Sequence, residues 1–146
     1  MTDTAMQITT LTSYTPQDLA DMTALMTVLD PQCIFNEAKL QAVVSNPQSH
    51  LYVVRDDRNR IVGCCTMAVF HSPTGKKASL EDVAVLPECQ GRHLGRLLVE
   101  HAIEQMRQEA PIHIQLTSRP ARVAANGLYK AVGFKQKETN VYTLDL

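Results

Sequence analysis

A short apolar strand that runs into a glycine-bearing turn and then a long helix constrains this chain more than any other stretch. Residues 80–86, Leu-Glu-Asp-Val-Ala-Val-Leu, are apolar-rich and β-branched and stop at Pro87, which ends sheet pairing. Gln90-Gly91-Arg92-His93-Leu94-Gly95-Arg96 comes next, and residues 97–109 are strongly helical. The first turn of a helix leaves backbone N–H groups without partners, and the aligned peptide dipoles put partial positive charge there. Gly91 and Gly95 have no Cβ to keep a phosphate from the backbone, and Arg92 and Arg96 add full charges suited to two-pronged phosphate binding. On spacing alone, an ordinary strand-to-helix turn accounts for this stretch as well as an anion site does. It is not a P-loop, because the glycines are too close and no Gly-Lys-Ser/Thr follows, and it is not G-x-G-x-x-G.

The pattern on either side predicts a mixed α/β chain. A weakly alternating first strand over 6–14 precedes a helix that Pro16 opens and Asp30-Pro31 closes, with Leu19, Met22, Leu25, Met26 and Leu29 on one face. A second helix is expected over 36–44, then strands over 50–55 and 60–70 joined by the turn Asp56-Asp57-Arg58-Asn59. Ser72-Pro73-Thr74-Gly75 turns the chain into a strand over 77–86, the one that leads to the glycine turn. Lys76-Lys77 reads as a solvated turn pair or as a contact for an acidic ligand. The helix after the glycine turn places Leu94, Leu97, Leu98, Ala102 and Met106 on one side. A strand over 112–117 follows, with His113 on its polar phase. A helix striped by Ala121, Ala124, Ala125, Leu128 and Val132 is capped by Gly133, and two closing strands are expected over 134–137 and 141–146. The order is βααβββαβαββ, and the central hairpins exclude a purely parallel doubly wound sheet.

Composition narrows the function classes. With 146 residues, the chain has the length of one domain with a real core, residues 1–146 being read as a single unit. A formal net charge of −1 gives no electrostatic case for nucleic acid or an anionic membrane as partner. The four cysteines contain no C-x-x-C and the five histidines no H-x-x-x-H, so no metal site is expected. Cys64 and Cys65, adjacent in a strand, should point to opposite faces as buried free thiols of a reducing compartment. The N-terminus lacks a basic segment followed by an apolar run, and no stretch approaches a membrane span, so the cytoplasm is the expected location.

Two stretches carry a resemblance to a known family. Gln90, Gly91, Arg92, His93, Leu94 and Gly95 resemble the acyl-CoA-binding motif of the GNAT N-acetyltransferases, Q/R-x-x-G-x-G/A, with His93 standing where the first motif glycine is expected. The segment Asn126-Gly127-Leu128-Tyr129-Lys130-Ala131-Val132-Gly133-Phe134 resembles the family's second recurring pattern. The resemblance implies a central, mostly antiparallel sheet flanked by helices, whose parallel fourth and fifth strands splay apart to admit the pantetheine of acetyl-CoA. It implies that backbone amides of the loop, His93 included, hold the CoA pyrophosphate beside Arg92 and Arg96. Val83 and Val85 would line the pantetheine, and Asn126 and Tyr129 would face the cofactor.

The chemistry so implied is acetyl transfer to a primary amine in a ternary complex. An alkylammonium with a pKa of about 10 must lose a proton, the oxyanion needs hydrogen bonds, and a thiolate of pKa about 8.5 benefits from protonation. The resemblance assigns the last task to Tyr129 and the second to backbone amides around residues 83–85. Glu81 or Asp82 is the candidate base. Strand alternation favours Glu81, which should share a face with Val83 and Val85, although a surface carboxylate paired with Lys or Arg explains it equally well. Cys89 is not expected to be a nucleophile, since no histidine is placed to activate it. A small-molecule amine is the favoured acceptor. A protein or peptide amino group and a non-catalytic acyl-CoA-binding regulatory module are the alternatives, and a homodimer through the last strand is an open arrangement.

Overall fold

In a computed structural model of the chain, the described residues are 6–146; residues 1–5, part of the stretch read for a leader, lie outside them. Two compact units are present, one up to Leu116 and one from Thr117 to Leu146. The first unit holds a five-stranded sheet in the order β1 (Gln7–Thr10), β2 (Ser49–Arg55), β3 (Ile61–Ser72), β4 (Gly75–Val85), β5 (His113–Gln115). The first three pairings are antiparallel and β4–β5 is parallel. Helices α1 (Pro16–Leu29) and α2 (Glu37–Val44) precede β2, and α3 (Leu94–Arg107) connects β4 to β5.

Local chemistry explains these boundaries. Thr15 caps α1 through a reciprocal box with Asp18, Pro16 occupies its first turn, and Asn36 caps α2 by accepting from the Lys39 N–H. Asp56 accepts from the N–H groups of Arg58 and Arg60 across the β2–β3 turn, where Asn59 takes a left-handed φ of 61° that its short amide tolerates.

Each sheet face buries a different helix set. Leu51, Val53, Ile61, Cys64 and Ala84 pack with Met22, Leu25 and Met26 of α1 and Leu40 of α2. On the opposite face the Cys65 thiol reaches the Leu98 carbonyl of α3, and Tyr52 meets His101 edge-on at 5.0 Å. The two thiols therefore diverge, as the strand period requires. A side chain at Gly63 would lie 2.9 Å from Val54 Cγ1 and 3.1 Å from Leu98 Cδ1, so only glycine lets α3 settle against β3. Leu97, expected on the buried side of α3, is instead 46% exposed. Leu94, Leu98, Val99, Ala102 and Met106 make the buried face.

A charged clamp ties α1 to the β2–β3 hairpin. Arg55 donates to both oxygens of buried Asp18 at 2.8 and 3.2 Å, while Asp21 accepts from Arg60, from the Ile61 N–H at 3.0 Å and from Gln17. The bonds from Arg55 hold the Asp18 carboxyl below the usual range. Burial alone would raise Asp21, but its bonds from Arg60, the Ile61 N–H and Gln17 outweigh burial and lower it. Both folded-state values lie below the unfolded 3.8, so the stabilisation is complete above that pH and is lost as pH falls through the folded values. Urea midpoints are expected to hold down to about pH 4 and then drop, more shallowly in Asp21→Asn. A midpoint that stays flat in the acid range would contradict the clamp.

The second unit holds α4 (Val123–Ala131). Tyr129 is its buried residue and packs edge-on against Phe134 at 6.1 Å, and Gly133 closes the helix at φ 114°. Residues 134–137 and 141–146, expected as strands, have no strand structure. Val141, Tyr142 and Leu144 are exposed, so no burial offsets the entropy of ordering an extended segment. Among the described residues, no helix is long and apolar enough to cross a membrane, and no cluster of metal-ligating side chains occurs.

Candidate active site

The parallel pairing of β4 with β5 is short. It runs from Lys77↔His113 to Ser79↔Gln115 and stops, so among the described residues β4 beyond Ser79 has no partner strand on its β5 side. The outward backbone groups of that edge, apart from the Val85 carbonyl that accepts from Gln90, can therefore meet an extended ligand with alternating donors and acceptors. The edge leads within a few residues to the glycine turn.

Pro87–Cys89 makes a single 3₁₀ turn, and the Gln90 side chain donates to the Val85 carbonyl at 3.2 Å, folding the turn back on the strand. Gly91 takes φ 85°, with open space around the position a Cβ would occupy. His93, the residue that replaces the motif glycine, also lies in the left-handed region, at φ 60° and ψ 24°. A histidine there carries a backbone cost of about 1 kcal/mol that glycine would not. His93 thus takes a left-handed conformation that glycine adopts without that cost.

The helix start differs from the other two in the unit. α1 and α2 each have a side-chain cap and an acidic residue in the first turn, whereas α3 has neither. Its first helical bond runs from Leu97 N–H to His93 O, so Leu94, Gly95 and Arg96 present N–H groups with no partner inside the helix. The helix thus begins at Leu94 rather than at Leu97, and Gly95 and Arg96 lie in its first turn. Positive dipole, unpaired donors and open space at Gly91 fit a pyrophosphate. Arg96 meanwhile bonds Glu100 one turn on, and the thiol of buried Cys89 is raised by burial and by Glu88, with Arg92 opposing.

The strand carrying the candidate base holds a feature the alternation argument missed. Cys64 pairs with Ala84 and Thr66 with Glu81, so two steps on β3 span three on β4. The extra residue makes a bulge, and Asp82 sits in it at φ 53°. Side-chain phase flips across it. Glu81 shares the face of Thr66 and Cys64, the α1 side, while Val85, paired with Gly63, takes the α3 side together with Val83. Glu81 therefore does not share a face with Val83 and Val85. The run of apolar residues Ala78, Leu80, Val83, Ala84 and Val85 is compatible with more than one strand phase, so the sequence did not fix the bulge.

Ser79 donates to Glu81 Oε1 at 2.6 Å on the α1-side face. Burial, and then the charge of Glu81, push the Asp82 carboxyl up, and the Cys64 thiol donates to the Asp82 carbonyl. In the second unit, Asn126 Nδ2 donates to the Arg119 carbonyl at 3.0 Å, which ties the segment before α4 to its first turn. The glycine turn and β4 residues thus come together in the first unit, whereas Asn126 and Tyr129 belong to the second.

A family model described as Acetyltransferase (GNAT) family matches residues 17–134. An uncharacterized N-acetyltransferase of Chlorobaculum tepidum is 29% identical over 105 residues, covering 70% of this chain and 63% of that protein. A [ribosomal protein bS18]-alanine N-acetyltransferase of Salmonella typhimurium is 37% identical over 60 residues, 41% of this chain and 40% of that protein. The matched region is therefore less than two thirds of either relative's length. Similar solved structures include an acetyltransferase of Trypanosoma brucei, with TM-score 0.76 and 22% identity over 97% of this chain and 99% of that one. An aminoglycoside acetyltransferase from an uncultured soil metagenomic sample gives TM-score 0.76 and 19% identity over 98% and 99%. At these identities the structural likeness is one of fold.

Proposed function

The chain belongs to the acetyltransferase (GNAT) family, and from that premise we propose that it is an acetyl-CoA-dependent N-acetyltransferase acting on a primary amine of a small molecule. The observation that carries this reading is the run of an unpartnered β4 edge into an uncapped, acid-free helix start. One element offers hydrogen bonds to an extended amide-bearing chain and the next offers a seat for its pyrophosphate. Residues 1–146 act as one domain in this proposal.

In the proposal the N–H groups of Gly91 to Arg96 and the side chains of Arg92 and Arg96 bind the pyrophosphate. Gln90 holds the turn in shape. The β4 backbone at Val83 and Val85 binds the pantetheine, and its amides stabilise charge developing on the thioester oxygen. Glu81, on the α1-side face, takes the proton of the incoming ammonium, and Tyr129 returns a proton to the departing sulfur. Asn126 supports the segment in which Tyr129 is held. Supply of an activated acetyl group is the cofactor's part.

Calorimetric titration with acetyl-CoA tests this. Binding is expected for the unaltered protein and a loss of at least about tenfold for Gly95→Val, whose side chain would crowd the anion seat. No binding to either protein would remove the basis of the proposal. A second reading, acetylation of a protein or peptide amino group, is favoured by the similar [ribosomal protein bS18]-alanine N-acetyltransferase. Thiol release with peptides but not with small amines would select it, and binding without any transfer would select a regulatory module.

A further inference from the structure

The adjacent lysines of the Ser72–Gly75 turn part company in the sheet. Lys76 pairs with His71 in the ladder, and its ammonium lies 2.8 Å from the Glu109 carboxylate beyond the end of α3. Lys77 pairs with Phe70 and with His113, so it occupies the opposite face, the one that carries Ser79 and Glu81. It has no ion-pair partner among the described residues.

That face of β3–β5 is open to solvent along part of this length. Phe70 is 44% exposed, and His113, Gln115 and Glu81 are exposed beside it. The ladder arranges them in order. Phe70, Lys77 and His113 form one row across three strands, Ser79 and Gln115 the next row, and Glu81 stands one step further on. A strip thus runs from a cation with an aromatic and a ring donor, through a hydroxyl and an amide, to a carboxylate. Four residues of strand separate the Lys77 and Glu81 backbones by about 13 Å, and both side chains can lean inward.

We propose that this strip seats the acceptor, a small primary amine that also bears a carboxylate or phosphate at its far end, with Lys77 and His113 determining that preference. The inference rests on the acetyltransferase reading and gives its acceptor a chemistry. An ammonium at Glu81 and an anion at Lys77 match the strip's two ends in sign and spacing. A uniformly cationic amine meets Lys77 as a like charge, so the strip selects against it.

The test compares two amine series of equal length, ω-amino acids or amino phosphates against neutral alkylamines, by thiol release with acetyl-CoA. KM is expected to be roughly tenfold lower for the anionic series, the advantage shrinking as salt is raised. Lys77→Glu is expected to abolish or invert that advantage while acetyl-CoA affinity stays unchanged. Indistinguishable series in the unaltered protein, a preference for polycationic amines, or a preference that survives Lys77→Glu would each overturn it. If nothing in either series is turned over, the acetyltransferase reading fails on its own. The strip is then judged by calorimetric binding of the same compounds: anionic amines that bind the unaltered protein and not Lys77→Glu support it, and their failure to bind overturns it.

Discussion

Glu81→Gln is expected to lower kcat/KM for the amine by about 100-fold near neutral pH, with acetyl-CoA affinity unchanged. Gln keeps an oxygen to accept the Ser79 hydroxyl, so the local geometry at 2.6 Å survives while the charge is lost. The deficit should narrow as the pH approaches the acceptor's own pKa, about 10 for an alkylamine, because free amine then forms without help. That pH dependence separates a base from a structural residue: a deficit that stays constant with pH, with weaker acetyl-CoA binding, would remove Glu81 from the role. Asp82→Asn is the paired control. The position has φ 53°, which Asn tolerates as well as Asp, so the substitution removes charge without disturbing the bulge. If the pH-dependent deficit appears there instead, Asp82 is the base.

Tyr129→Phe is expected to reduce kcat by roughly 10- to 100-fold while leaving acetyl-CoA affinity almost unchanged. The ring and its edge-on contact with Phe134 are retained, so α4 should keep its packing. Since a thiolate needs no proton once the pH exceeds its pKa of about 8.5, the loss should be largest below that value and shrink above it. Equal losses of turnover and of cofactor affinity would mark Tyr129 as a binding residue rather than an acid.

Much of this was legible in the sequence because it depends on local chemistry. Thr15 and Asp18 announce the start of α1, Pro16 fits its first turn, and Asn36 announces α2, since capping is settled within a few residues. The glycine turn was legible for the same reason: Gly91 stands where the backbone needs φ 85°. His93 departs from the motif in letter and takes a left-handed conformation, a strain that no local sequence pattern announces. The two closing strands failed in the opposite direction. Residues 141–146 have strand composition, but a strand exists only through a partner and through burial, and neither is encoded in the segment itself.

By itself, then, the sequence determined the order of elements through α4, the family, and the glycine turn that leads into α3, all of which rest on caps, periodicity and backbone-compatible glycines. Tertiary structure alone decided which way the strand side chains face. One extra residue in β4 turned Glu81 away from Val83 and Val85, and the ladder sent Lys76 to the α3 side and Lys77 to the side of Glu81. The reason is physical: a period of two has no memory of its phase once a single residue slips, so facing is a property of the pairing and not of the strand.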